Sequence, residues 1–264
     1  MTAPLRLERP RPGVARVVLD RPELRNAFDD VLVAKLTDAF AALGADPSVR
    51  AVVLAGEGKS FCAGADLAWM KRVVSYAPEE NQRDASALAA MFLAVDSCPK
   101  PVVGRVQGAA LGGGAGLVAV CDVAVAAEGT LLGTTEVRLG IVPGVISPFV
   151  VRKVGESHAR RWFLTGERFD AAEALRAGLV HSVVPEGELD AEVDRVLDAL
   201  LLGGPEALAV SKGLAQRMGR LPLGEALEEA TGVIAARRAS AEGQEGMRAF
   251  LERRRPSWTA GSGS

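Results

Sequence analysis

The chain has 264 residues, of which 48% are hydrophobic and 24% are charged, and its formal net charge is −2. This composition is typical of a globular protein with a sizeable core, and the charge argues against nucleic acid as a partner. We expect no membrane span and see no signal peptide. The three cysteines and two histidines share no ligand or disulfide spacing, so we expect no metal site and a cytoplasmic location.

Strand and helix patterns alternate over the first two thirds of the chain. Short apolar runs predict strands at Val14–Leu19, Ala51–Leu54, Val102–Val106 and Val123–Ala126. Helical spacing and capping residues predict helices at Asp29–Leu43, Leu67–Val74, Asn81–Val95 and Gly114–Val120. From His158 onward the pattern is mostly helical. This order favours an α/β class with parallel strands.

Two stretches of small residues follow predicted strands and precede predicted helices. They are FCAGADL at Phe61–Leu67 and GAALGGGAGL at Gly108–Leu117. A helix N-terminus offers unpaired N–H groups and a partial positive charge, and small side chains let a ligand reach them. Two such ends could form an oxyanion hole. Close packing of helix on strand explains the glycines equally well, and so does a dinucleotide loop, although GGGAG does not match G-x-G-x-x-G.

Glu136 stands between a predicted strand and a Gly-Pro turn in TTEVRLGIVPG. Most carboxylates are surface groups, so an ion pair with Arg138 is the ordinary explanation, and a catalytic role is the alternative. Cys62 could be a nucleophile, but no histidine stands near it in sequence, which favours a buried, inert thiol. Three cations are most simply solvated: Arg25, Lys100 and Lys212.

Five segments, in this order, resemble the enoyl-CoA hydratase/isomerase (crotonase) family: LDRPELRNAF, FCAGADL, VQGAALGGGAGLVAVCDVAVA, EVRLGIVPG and TGERFDAAEALRAGLV. The resemblance runs from about Val14 to Trp258. It implies a spiral of ββα units with a helical C-terminal region, a homotrimer or homohexamer, and an acyl-CoA substrate. Coenzyme A would then be part of the substrate, and no separate cofactor is expected. We accordingly expect a core domain at residues 1–195, and a helical trimerisation region with a flexible tail at residues 196–264.

The resemblance also implies roles for individual residues. Ala63 and Gly113 would donate their backbone N–H groups to the thioester oxygen, and Glu136 would exchange a proton with the substrate. The residues expected to bind the acyl-CoA are Arg25, Ala27, Ala63, Gly64, Ala65, Asp66, Leu67, Gly113 and Gly116.

The sequence departs from the family's hydratases at two places. The first of two family glutamates would stand at Gly116, and VISPFVV (Val145–Val151) replaces a glycine-rich stretch. With the ending AEGQEGMRAFLERRRPSW, these features resemble bacterial methylglutaconyl-CoA hydratases. Gly116 would leave an empty place where family hydratases have their first carboxylate. Either Glu136 works alone, or a distal carboxylate of the substrate fills that place. Arg138 and Arg152 are candidates to compensate its charge.

The leading prediction is a lyase that hydrates or dehydrates a short, branched 2-enoyl-CoA, such as the 3-methylglutaconyl-CoA of leucine catabolism. The alternatives are a double-bond isomerase, an acyl-CoA-binding protein that has lost catalysis, and a dinucleotide-binding protein. A Gly116→Glu variant is expected to repel a carboxylated substrate and to favour crotonyl-CoA.

Overall fold

The computed structural model describes residues 3–259, and the predicted flexible tail lies outside the described residues. Six strands form the main sheet, neighbours in this order: β1 (Leu5–Arg11), β2 (Val14–Leu19), β3 (Ala51–Gly56), β4 (Val102–Val106), β6 (Val123–Ala127) and β9 (Ser182–Val184). β1 and β2 are antiparallel, and every later pair is parallel. A second sheet contains β5 (Ala109–Leu111), β7 (Leu131–Gly133) and β8 (Arg168–Asp170).

Ten α-helices occur within residues 3–259: α1 (Asp30–Ala45), α2 (Leu67–Val73), α3 (Pro78–Asp96), α4 (Gly113–Val120), α5 (Ser147–Thr165), α6 (Ala171–Arg176), α7 (Leu189–Leu202), α8 (Pro205–Met218), α9 (Leu223–Ala239) and α10 (Ala241–Leu251). α1 shows why such segments are helical. Its residues Leu32, Leu36, Phe40 and Leu43 recur on one face and are buried. The Asp29 carboxylate accepts a hydrogen bond from the Leu32 N–H at 2.8 Å and caps the helix.

The chain winds as repeated units of a long strand, a short extended segment and a helix. After β2, Phe28 forms a parallel bridge with Ala65; after β3, Cys62 forms one with Ala110. After β4, β5 pairs in parallel with β7. The short segments of successive turns therefore lie side by side, each immediately before a helix. This confirms the expected α/β class and ββα spiral.

The expected boundary after residue 195 must be moved, because it falls inside α7. Leu189, Val193, Leu197 and Leu201 of α7 pack into one apolar cluster with residues of β2, β3, β4 and β6. Cutting the helix would expose that cluster, so the core extends to the end of α7. The helical C-terminal region then consists of α8, α9 and α10.

None of the helices within residues 3–259 combines the length and apolar character that a bilayer-crossing helix needs.

Candidate active site

Backbone hydrogen bonds join residues 61–65, the FCAGA loop, to β5, the strand that comes just before α4. The Cys62 N–H donates to the Ala109 carbonyl at 2.9 Å, and the Leu111 N–H donates to the Cys62 carbonyl at 3.0 Å. Because the two segments run parallel, residues that follow the bridge at equal spacing lie beside each other. The bridged pair is Cys62 and Ala110. Ala65 comes three residues after Cys62 and Gly113 three residues after Ala110, so the two lie beside each other.

The glycine run allows α4 to approach this loop closely. A Cβ atom on Gly114 would lie 2.2 Å from the Cys62 carbonyl oxygen, and one on Gly113 would lie 2.5 Å from Cε2 of Phe28. Real Cβ atoms do not tolerate such distances, so larger residues would force the helix away. Close packing is therefore supported as an explanation of these glycines, and it holds the first N–H groups of α4 beside the FCAGA loop.

Several backbone N–H groups at this junction have no recorded acceptor among residues 3–259, and those of Ala65 and Gly113 are the ones on residues that are not buried. Ala65 is exposed and Gly113 is partly exposed, so a ligand can reach both. The expected donor Ala63 is different, because its N–H donates to the Arg25 carbonyl at 3.0 Å. This finding corrects the expectation: the free donor of the loop is Ala65, since Ala63 is tied to the preceding turn.

The turn that holds Ala63 depends on Asn26, which the sequence analysis missed. Arg25 and Asn26 both have a positive φ, 53° and 57°, a conformation that asparagine tolerates better than most residues. The buried Asn26 amide donates to the carbonyl oxygens of Glu57 and Ser60 at 2.9 and 2.7 Å. An asparagine in a turn beside a strand end was the one available signal for this role.

Asp66 supports the site rather than facing a ligand. Its carboxylate accepts hydrogen bonds from the Ala68 and Trp69 N–H groups at 2.7 and 3.1 Å, which caps α2. Its other oxygen lies 3.1 Å from the Arg21 guanidinium, which also lies 3.0 Å from the Asp29 carboxylate. Asp66 is 6% exposed, so we assign it to positioning the loop that carries Ala65.

The other residues expected to bind coenzyme A differ in exposure. Arg25 is exposed, and Leu67 at the start of α2 is 76% exposed. Ala27 is 7% exposed, and Gly64 is buried with a φ of +98°. Only the first pair can contact a large part of a bound molecule, and the second pair shapes the backbone beneath it.

Glu136 begins a short 3₁₀ turn, Glu136–Leu139, just after β7. Its carboxyl group lies over the glycine run, because a Cβ on Gly112 would lie 3.3 Å from Glu136 Oε1. Oε2 is buried and has no hydrogen-bond partner within residues 3–259. Burial raises the pKa of Glu136 above its ordinary value, and the ion pair with Arg138 is not formed within this part of the chain. A carboxyl group with one buried oxygen that lacks a protein partner is a candidate catalytic group.

The expectation of a gap at Gly116 is also corrected. A Cβ atom there would lie 2.3 Å from Cγ2 of Ile146 and 3.0 Å from Cε1 of Phe92. All three residues are buried, so Gly116 is packed against apolar side chains and does not line a substrate site. Ile146 belongs to VISPFVV, so the two departures from the family's hydratase pattern meet in this contact.

The cations considered in the sequence analysis have different environments. Arg152 forms an ion pair with Asp96, whereas Arg138 is exposed. Lys212 is not solvated as expected: its side chain is 9% exposed, and its ammonium group lies 2.8 Å from the Asp122 carboxylate.

The site residues also limit the chemistry. Burial raises the pKa of the Cys62 thiol to about 12, and the three cysteines are free and buried, so a thiolate nucleophile is not favoured here. Within the described part of the chain, no three His, Cys, Asp or Glu side chains are grouped to hold a metal ion. The arrangement of two N–H donors beside a carboxyl group suits stabilisation of an enolate and proton transfer next to it.

Comparison with known proteins agrees with this chemistry. The family profile Enoyl-CoA hydratase/isomerase matches residues 9–261. The crotonyl-CoA hydratase of Syntrophomonas wolfei is 34% identical over 245 residues, which cover 92% of this chain and 93% of that protein. The crystal structure of an enoyl-CoA hydratase from Shewanella pealeana is 39% identical, with a TM-score of 0.92, over 97% of this chain and 96% of that one. The structure of Pseudomonas aeruginosa AtuE is 40% identical, also with a TM-score of 0.92, over 97% and 99%. The chain therefore belongs to the enoyl-CoA hydratase/isomerase family, with its crotonase fold and its enoyl-CoA hydratase type of function.

Proposed function

We propose that this protein hydrates and dehydrates a short, branched 2-enoyl-CoA, with 3-methylglutaconyl-CoA as the favoured substrate. The observation that carries the proposal is the grouping of the unpaired N–H groups of Ala65 and Gly113 with the carboxyl group of Glu136. Family membership supports an acyl-CoA thioester as substrate. The branched, carboxylated acyl group is supported by the resemblance of VISPFVV and the C-terminal stretch to methylglutaconyl-CoA hydratases.

The two N–H groups would bind the thioester oxygen. When the water oxygen bonds to C3, the electron pair of the C2–C3 double bond moves towards the thioester oxygen. The thioester oxygen then becomes enolate-like. Each well-placed donor typically stabilises such a charge by about 3–4 kcal/mol relative to its absence. The partial positive charge at the N-terminus of α4, next to Gly113, acts in the same direction.

Glu136 would exchange a proton with the substrate next to the thioester. Its raised pKa brings the carboxyl group closer to neutral pH, where a general base or acid is most efficient. The exposed Arg25 is suited to a phosphate of coenzyme A, and the exposed Leu67 to an apolar part of it. No cofactor beyond the coenzyme A of the substrate is required by this scheme.

A double-bond isomerase is the second candidate, and the sealed position at Gly116 favours it. With no second carboxylate there, one base could move a proton between two carbons of the acyl chain without using water.

Solvent oxygen distinguishes the two reactions. Wild-type protein is incubated with 3-methylglutaconyl-CoA and with crotonyl-CoA in H₂¹⁸O, and the products are examined by mass spectrometry. We expect a hydroxyacyl-CoA that carries one ¹⁸O, formed faster from the branched substrate. A shifted double bond without ¹⁸O would replace the hydratase proposal with the isomerase, and no conversion of either thioester would contradict both.

We also propose that the protein is a homotrimer, or a homohexamer made of two trimers, in the cytoplasm. No residue of α8 or α9 is buried, and Leu223, Leu227, Phe250 and Leu251 are 76%, 58%, 82% and 78% exposed. Exposed apolar side chains on these helices are available to pack in an interface between copies of the chain. The three free cysteines suit a reducing compartment.

A further inference from the structure

We propose that a second cavity, at the opposite end of α4 from the glycine run, binds a small monocarboxylic acid with an apolar body. The cavity has a volume of about 500 Å³ and lies between α8, the first half of α5 and the turns that precede β4 and β6. This volume is in the usual range for small-molecule sites, roughly 300–1,000 Å³. The inference does not depend on the proposed function, because it concerns binding at a different place.

The cavity is separate from the candidate active site. α4 begins at Gly113, whose N–H belongs to that site, and ends at Val120, which lines the cavity. An α-helix rises about 1.5 Å per residue, so these two residues lie roughly 10 Å apart. A ligand of the cavity therefore occupies none of the space beside the N–H groups of Ala65 and Gly113.

The charged groups that line the cavity are three cations and two carboxylates: Arg152, Lys153, Lys212, Asp96 and Asp122. Arg152 is paired with Asp96, and the Lys212 ammonium lies 2.8 Å from the Asp122 carboxylate. Lys153 is the remaining cation, so the cavity carries one positive charge in excess. Cys121 also lines it, but burial raises the pKa of its thiol to about 12, so it adds no charge.

Lys153 can donate to a ligand oxygen. Its ammonium group donates to the carbonyl oxygens of Cys121 at 2.6 Å and Asp122 at 3.4 Å, and it forms no ion pair within residues 3–259. An ammonium group has three N–H donors, so one remains for a ligand. Burial lowers the pKa of Lys153, and a carboxylate beside it would favour the charged form.

The rest of the wall favours a ligand with an apolar body. The apolar side chains that line it are Pro101, Ala119, Val120, Leu200 and Leu208. A short alkyl chain would remove this surface from water, whereas an inorganic anion would leave it wet. The carboxylates of Asp96 and Asp122 would repel a second negative charge, so a monocarboxylate suits the cavity better than a phosphate or a dicarboxylate does.

The mouth of the cavity is formed by α8. Ser211 and Ala215 line the cavity, and both are exposed. A ligand can therefore enter from solvent while α8 stays folded. Ser211 is also a position where a charge can be introduced beside the ligand without disturbing the core.

Calorimetric titration of the full chain with sodium octanoate tests the inference. Saturating acetyl-CoA is present throughout, so that the acyl-CoA site is occupied. The comparison probes are octan-1-ol, which lacks the charge, and acetate and inorganic phosphate, which lack the apolar body. We expect saturable binding of one octanoate per chain, and binding at least about tenfold weaker for each comparison probe.

Two charge variants at the mouth locate the bound octanoate. Ser211→Glu should weaken octanoate binding and Ser211→Lys should strengthen it, each by up to about fivefold, because the introduced charges are exposed. Lys153→Met should weaken binding by at least about tenfold. Lys35→Met is the matched control, since Lys35 is exposed on α1, away from the cavity, and it should bind octanoate as the wild type does.

Melting temperatures show which variants are folded, and the Ser211 pair decides the question if Lys153→Met does not fold. No octanoate binding by the wild type, or octanol or phosphate bound as tightly as octanoate, would overturn the inference. Equal affinities of Ser211→Glu and Ser211→Lys, or wild-type affinity in a folded Lys153→Met protein, would show that octanoate binds elsewhere and would overturn it as well.

Discussion

At the scale of single residues, the carboxyl group of Glu136 and the glycines around it set the chemistry. Glu136→Gln keeps the shape of the side chain and removes the ionisable group. Turnover of enoyl-CoA should fall by about 10²–10⁴-fold, the usual contribution of a positioned acid or base, while coenzyme A affinity is retained. Steady-state kinetics and calorimetry check this. Glu128→Gln, on an exposed turn before β7, is the control and should keep wild-type turnover; equal turnover for both variants would remove Glu136 from the mechanism.

Gly113 tests the oxyanion site through bulk, because its N–H belongs to the backbone. Gly113→Val would place a Cβ 2.5 Å from the Phe28 ring and displace either α4 or the ring. Acyl-CoA turnover should collapse. The matched variant is Gly129→Val, since a Cβ on Gly129 meets nothing within 4 Å, and it should remain active. A folded Gly113→Val protein with full activity would contradict the placement.

Gly116 and Ile146 are expected to be coupled in stability. Gly116→Ala would overpack the contact with Ile146, a change that typically destabilises a protein by about 1–3 kcal/mol. Gly116→Glu would destabilise the protein more severely, and this loss does not depend on the substrate. Combining Gly116→Ala with Ile146→Ala should lower the free energy of unfolding by less than the sum of the two single changes. Urea unfolding measures all three proteins. Additive effects would show that the two side chains do not compete for one space.

The site residues differ in how far the sequence alone could predict them. The roles expected of Gly113 and Glu136 come from the family resemblance, because the glycine pattern alone left three explanations open and an ion pair with Arg138 was the ordinary explanation of Glu136. Ala63, expected as a donor from its position in the motif, is not free because its N–H donates to the Arg25 carbonyl. That hydrogen bond forms across a turn that local patterns do not specify. Ile146 closes Gly116 from 30 residues further along the chain, a contact that periodicity cannot predict.

At the scale of elements, predictions from periodicity succeeded where a segment was long or fully buried. β2 and β4 have the predicted bounds, and the predicted helices are found with ends shifted by a few residues. β1 was missed because Leu5–Arg11 contains three arginines and a proline, an edge-strand composition. β5, β7 and β8 have three residues each, too few to show a period, and their pairing with neighbours alone makes them strands.

The ion pair between Lys212 and Asp122 joins α8 to the turn before β6. Lys212→Met should leave the partly buried Asp122 carboxylate without its cation and lower the free energy of unfolding by about 3 kcal/mol, the low end for buried pairs. kcat should change little, because neither group lies at the glycine run. Chemical unfolding of Lys212→Met and of Lys212→Met/Asp122→Asn checks this. The double variant should recover part of the loss, and no recovery would argue against an electrostatic origin.

At the scale of the whole molecule, the exposed apolar residues of the C-terminal helices predict self-association. Light scattering should give three or six times the chain mass of 27.5 kDa. Phe250→Asp with Leu251→Asp should lower the assembled mass, because two exposed apolar residues at the end of α10 become charged. A wild-type monomer at micromolar concentration would contradict the proposed assembly and leave the family assignment intact.

The central claim is that this site adds water to an enoyl thioester through Glu136. The most direct measurement is the initial rate at which solvent ¹⁸O enters C3 of 3-methylglutaconyl-CoA, with wild-type protein and Glu136→Gln compared under identical conditions. The account predicts rapid incorporation of one oxygen atom per molecule of product by the wild type, and a rate lower by about 10²–10⁴-fold in the variant. Equal rates for the two proteins, or no incorporation by the wild type, would contradict it.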